Sequence, residues 1–126
     1  MAQAAVRLSE RTPIDASETA ILDRAHLSRM TFGDRGLERE VLQLFDRQAE
    51  LLMQRIHTSA PAAIVTLAHT LKGSAVGIGA SRVARVAANT ELAAGGMPAD
   101  LGAEIDQLAR AVAEARTHIS ALLSAQ

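Results

Sequence analysis

The chain has 126 residues, 48% of them hydrophobic, with two phenylalanines, no tryptophan, tyrosine or cysteine, and a formal net charge of -1. That length suits one domain with one core; the charge gives no pull toward nucleic acid or an anionic membrane surface; the missing cysteines exclude disulfides and thiolate metal sites and agree with a reducing cytoplasm. No stretch approaches the ~20 apolar residues of a membrane span, the first residues hold no apolar run of signal-peptide type, and an Ala- and Leu-rich, aromatic-poor composition favours packed helices over sheets.

Residues 1–17 mix Ala, Arg, Ser and Glu around Pro13 without a sustained period. They are expected to be a flexible tail, leaving 18–126 as the folded domain. Asp23 is a candidate N-cap for a short helix through Leu27 and Met30, and the glycines of Thr31 to Gly36 break it. Leu37, Val41, Leu44, Phe45, Leu52 and Ile56 then recur at helical spacing, with Gln48 on the same line. They predict an amphipathic helix with those residues inward. Ser59-Ala60-Pro61 closes it and opens a third helix, since proline is at home in a first turn. Ile64, Leu67, Ala68, Leu71 and Ala75 form the core stripe there, and Gly77 and Gly79 mark the stop.

A fourth helix from about Ser81 turns Val83, Val86, Ala87 and Leu92 inward and ends at Gly95-Gly96. Pro98 opens the last, in which Leu101, Ile105, Leu108, Val112, Ala115, Ile119 and Leu122 alternate spacings of four and three. That pattern reads as bundle core rather than a dimerisation zipper. The expected fold is all-α: an antiparallel up-down-up-down four-helix bundle with a short extra N-terminal helix.

The third helix also carries the chemistry. His69, Lys72 and Gly73 stand at i, i+3 and i+4, neighbours on one ridge. Val65, His69, Lys72, Gly73 and Val76 fall opposite or beside the core stripe, so the imidazole is expected to project to solvent between two valines. Imidazole is largely neutral at pH 7 and then nucleophilic. A mid-helix glycine costs ~1 kcal/mol relative to alanine, and close approach of another protein's backbone is a reason to bear that. Lys72 is the chain's one lysine beside twelve arginines, and a compact ammonium is a good point-charge partner for a phosphate oxygen. His26, His57 and His118 fall in no ligand spacing such as His-x-x-x-His, which argues against metal binding. Gly77-x-Gly79 follows no strand and is not a nucleotide loop, and no Walker or kinase signature is present.

The segment His69-Thr70-Leu71-Lys72-Gly73-Ser74, with its Gly79-Ala80 exit, resembles the signature of histidine-containing phosphotransfer (HPt) domains of bacterial multistep phosphorelays. Gly33-Asp34 and Leu42-x-Leu44-Phe45 resemble the family's second-helix entry, and Thr90-Glu91-Leu92 its fourth-helix ending; the similarity runs over about 22–123. The resemblance implies that His69 Nε2 accepts a phosphoryl group from a receiver-domain aspartyl phosphate and passes it to another receiver. Lys72 would stabilise the phosphate and Gly73 would grant access. Glu91 stands where some members place a Glu or Gln to hydrogen-bond Nδ1, or is a solvated glutamate near a helix end. Val65 and Val76 would join a receiver-docking patch, with Arg82 and Arg85 flanking it or belonging to the scattered surface arginines. Gly95 takes the place of a basic residue found in some relatives, and Ser74 is expected to cap or pack locally.

The chain is thus expected to be a phosphoryl carrier and not an enzyme, with no cofactor of its own and a divalent metal in the partner receiver. Its partners would be receiver domains of response regulators or a hybrid histidine kinase, met in the cytoplasm by a monomer. Two alternatives remain: a helical scaffold that binds a receiver without carrying phosphate, and a domain of a chemotaxis-type kinase phosphorylated directly by an ATP-binding domain.

Overall fold

A computed structural model describes residues 20–96 and 98–125; the expected tail, 1–17, lies outside the described residues. Within the described residues five α-helices follow one another: α1 (Arg24–Met30), α2 (Arg35–Thr58), α3 (Pro61–Ile78), α4 (Ser81–Gly96) and α5 (Leu101–Ser124). No strand occurs among the described residues. Around the bundle, α2 packs on α3 and α5, and α4 packs on the same two. With short connections, that square of neighbours is the up-down-up-down arrangement.

Local chemistry sets the boundaries. Asp23 Oδ1 accepts the His26 N–H (3.0 Å) at the start of α1, and Asp34 Oδ1 accepts the Leu37 N–H (2.9 Å) at the start of α2. Each satisfies an orphan donor of a first turn. Pro61 opens α3 without a side-chain cap. The helix runs through Gly77 and stops at Gly79, whose φ of 80° is the left-handed C-cap; Gly77 is therefore not a stop. A Cβ on Gly79 would lie 2.9 Å from the Asp23 carbonyl oxygen, so glycine is also what lets α1 close on this end. The clasp is completed by the Asp23 N–H donating to the Gly79 carbonyl (2.8 Å) and the Arg82 N–H donating to the Ala20 carbonyl (3.1 Å).

The core is one cluster drawn from every helix, including Leu27, Leu42, Phe45, Ile56, Leu71, Val83, Leu108 and Ile119. Three expected inward residues are exposed instead. Leu37 and Leu44 are 40% and 59% exposed, and α2 instead buries Leu42, Ala49 and Met53 beside Phe45, Leu52 and Ile56. Leucines occur on two sides of α2, and contact with α3 and α5 selects one. Leu92 is 73% exposed, because α4 turns the smaller Thr90, Ala93 and Ala94 inward and so lies close to its neighbours. Pro98 also does not begin α5: Pro98–Asp100 forms a 3-10 turn first, and the α-helix starts at Leu101. Ile105 and Leu122 are half-buried against the core.

On the α2–α5 side, Arg116 Nε donates to Asp46 Oδ1 (2.8 Å), with Glu50 3.6 Å from Nη2. The Asp46 hydrogen bond raises the Arg116 pKa against the lowering effect of burial, and Glu50 adds to the rise.

Candidate functional site

The site is built where α3 and α4 lie side by side. His69 on α3 and Glu91 on α4 are brought together: imidazole Nδ1 is 3.0 Å from Oε2 and 3.3 Å from Oε1. A carboxylate only accepts hydrogen bonds, so the neutral ring carries its proton on Nδ1 and donates it to Glu91. Nε2 then holds the free lone pair and has no hydrogen-bond partner among the described residues. The His69 side chain is 68% exposed and that of Glu91 26% exposed. The carboxylate is sheltered at the helix seam while the ring stands above it. Such an arrangement can offer one defined ring nitrogen to an incoming electrophile and hold a counter-charge behind the ring.

Around this pair the sequence-predicted residues fall on different sides. Lys72, one turn beyond His69, is half-buried and makes no hydrogen bond or ion pair among the described residues, leaving its ammonium available to an anion. Gly73 is exposed and Gly77 half-buried, and a Cβ at either would meet nothing within 4 Å. No internal packing requires either glycine. Together they strip the ridge beyond His69 of side chains over two successive turns.

Val76 is 54% exposed on the same helix end. Val65 is half-buried and packed against the core, and a Cβ on Gly95 would sit 3.7 Å from its Cγ2, so Val65 belongs to the α3–α4 seam. Ser74 donates from Oγ to Gln48 Oε1 (2.9 Å), a polar tie from α3 to α2. Arg82 is drawn to α5, where its guanidinium pairs with Glu114, and is not brought to the imidazole. Arg85 lines a hollow with Val76, Asp23 and His26, near the C-terminal end of the His69 ridge.

Gly77 is the feature that sequence reading assigned to a different role. Its spacing of eight from His69 and four from Gly73 was the signal, hidden by the nearby Gly79, which is the true stop. Among the described residues no group of three or more His, Asp or Glu side chains is placed to hold a metal ion, and no helix is long and apolar enough to cross a membrane.

Neither the curated proteins nor the solved structures include a significant match to the chain. The family model of the Hpt domain matches residues 39–124, a span that takes in α3, α4, His69, Lys72 and Glu91 together. On that match, and with an exposed imidazole seated on a helical bundle, the chain belongs to the Hpt domain family, whose members are phosphoryl carriers of two-component signalling.

Proposed function

We propose that the protein carries a phosphoryl group on His69 Nε2 between receiver-domain aspartates in a multistep phosphorelay. The observation that carries this reading is the Nδ1–Glu91 hydrogen bond beneath an exposed ring, because it leaves Nε2 as the nucleophile.

Nε2 attacks the phosphorus of the receiver's aspartyl phosphate. The N–P bond forms as the P–O bond to the aspartate breaks, and the aspartate leaves as a carboxylate. The ring retains its Nδ1 proton and becomes formally cationic. Glu91, already bonded to that proton, balances the new charge, and Lys72, one helical turn from His69 in sequence, is the cation to meet the transferred group. The return step reverses these bonds toward a second receiver. Little covalent work falls to the carrier, since phosphoryl transfer rests on positioning and charge stabilisation. The divalent metal belongs to the receiver on this reading, and no ATP-binding element is needed on the carrier. Val76 and the bare backbone at Gly73 form the inner part of the docking face, with Arg85 at its margin. The reaction takes place in the cytoplasm, where receivers reside.

The experiment is phosphotransfer from a panel of phosphorylated receiver domains of the same organism to wild type and His69→Gln. Label should appear on wild type only, stable to base and labile to acid. A panel in which no receiver labels the wild type contradicts the carrier reading and favours the scaffold.

A further inference from the structure

On the α4–α5 side of the bundle three arginines line one hollow. Arg82 and Arg85 come from α4 and Arg110 from α5, with Gln107 and Glu114 beside them. Glu114 is taken by Arg82. Arg85 and Arg110 are exposed and make no ion pair among the described residues. Two guanidinium groups on one hollow repel each other, and each offers a fork of donors that a carboxylate fits.

The chain enters the bundle at the rim of this hollow. The Ala20 carbonyl accepts the Arg82 N–H (3.1 Å), and Ile21 lines a neighbouring hollow with Glu114, Thr117 and His118 of α5. The entry therefore sits astride α4 and α5, beside the Arg82–Glu114 pair. Just upstream, residues 12–19 hold two acids, Asp15 and Glu18, and no base. A chain spans at most about 3.6 Å per residue, which gives Glu18 about 7 Å of reach from Ala20 and Asp15 about 18 Å. Arg85 and Arg110 lie one helical turn from Arg82 and Glu114, about 5–6 Å along their helices. Both acids can therefore come to both arginines.

We propose that the arginine hollow between α4 and α5 is a docking site for the chain's own acidic stretch, 15–18, with the carboxylates of Asp15 and Glu18 on Arg85 and Arg110. The occupant follows from charge and from the point of entry. An exposed ion pair is weak and screened by salt, but a stretch tethered a few residues away meets the arginines at about millimolar effective concentration without the cost of bringing two molecules together. The contact is accordingly a salt-sensitive clasp. It lies on the α5 side of α4, whereas His69 stands over the α3 side, so the seated stretch leaves the ring uncovered. Arg85 also lines the hollow with Val76 and His26, which brings the clasp to the edge of the His69 ridge. The inference does not depend on the carrier reading.

The test is NMR of the full ¹⁵N-labelled chain, reading the Nε–Hε signals of Arg85 and Arg110 at low salt and at about 1 M, where the screening length falls to about 3 Å. Wild type is compared with the double variant Asp15→Asn, Glu18→Gln, and with Glu10→Gln as a control for loss of a charge farther upstream. Thermal unfolding confirms the bundle in each. In wild type and in Glu10→Gln both signals should move as salt is added. In the double variant they should stand at their high-salt positions from the start, with the salt-dependent displacement lost. Arginine signals in the double variant that match wild type at low salt overturn the inference, whether salt moves them or not, because the arginines then have no partner in 15–18.

Discussion

At His69 the deciding contact is with Glu91 across the α3–α4 seam, 3.0 Å from Nδ1. On the proposed carrier reading a carboxylate there orients the ring and would offset the charge that phosphorylation creates, so the two roles separate by substitution. Glu91→Gln keeps a hydrogen-bond acceptor for Nδ1–H and loses the charge; Glu91→Ala loses both. We expect transfer rates to fall in the order wild type, Gln, Ala, with Ala slower by about ten- to a hundredfold, the scale on which a charge-assisted hydrogen bond acts. Single-turnover transfer at saturating receiver measures it, and an alanine variant as fast as wild type contradicts the role. The glycines divide in the same way. At Gly73 a methyl group meets open space, so Gly73→Ala is expected to raise stability by up to ~1 kcal/mol while slowing transfer from a receiver. At Gly79 the φ of 80° and the Asp23 carbonyl oxygen 2.9 Å from the added carbon predict a loss of about 2 kcal/mol or more for Gly79→Ala. Denaturant midpoints of the two variants should move in opposite directions.

At the level of helices, what could be read from the chain depended on how many sides of each helix are apolar. In α3 and α5 one stripe dominates. Ile64, Ala68, Leu71 and Ala75, and Leu101, Leu108, Val112, Ala115 and Ile119, are buried where the spacing put them. In α2, leucines occupy two adjacent sides, and only packing against α3 and α5 shows that Leu42 faces in while Leu44 faces out. In α4 the expected inward Leu92 lost its place to alanines, since helix proximity, which periodicity does not encode, favoured the smaller side chains. The His69 ridge was legible because the chain's one lysine and a mid-helix glycine fall at helical spacing from a histidine. The tie from Ser74 to Gln48 and the pairing of Arg82 with Glu114 join helices far apart in sequence and needed coordinates.

The end of α1 shows a feature no pattern announced. Phe32 takes the left-handed position of the cap, φ 56°, that glycine ordinarily fills, and is 91% exposed. Its N–H donates to the Arg29 carbonyl, and the Gly33 N–H donates to the Ser28 carbonyl (2.9 Å), so the helix end is properly closed and the strain lies in the residue alone. Phe32→Gly should relieve that strain, giving a net gain of about 0.5–1 kcal/mol after the extra chain entropy of glycine. Chemical denaturation reads it directly, and a loss of stability would show that the exposed ring packs on something after all.

For the whole molecule, the bundle acts as a rigid mount. Four helices in a square, tied across α2–α5 by Arg116 with Asp46 and Glu50 and closed at one end by α1 on Gly79, hold α3 and α4 at the separation that joins His69 to Glu91. The Hpt family assignment supplies the class of chemistry, and on the proposed reading the seam directs it to Nε2. The measurement that bears most directly on that claim is heteronuclear NMR of the phosphorylated, ¹⁵N-histidine-labelled protein. The account predicts phosphorus coupled to Nε2 of His69, with the Nδ1 proton retained and protected from exchange by Glu91. Phosphorus on Nδ1, or on any residue other than His69, would contradict it.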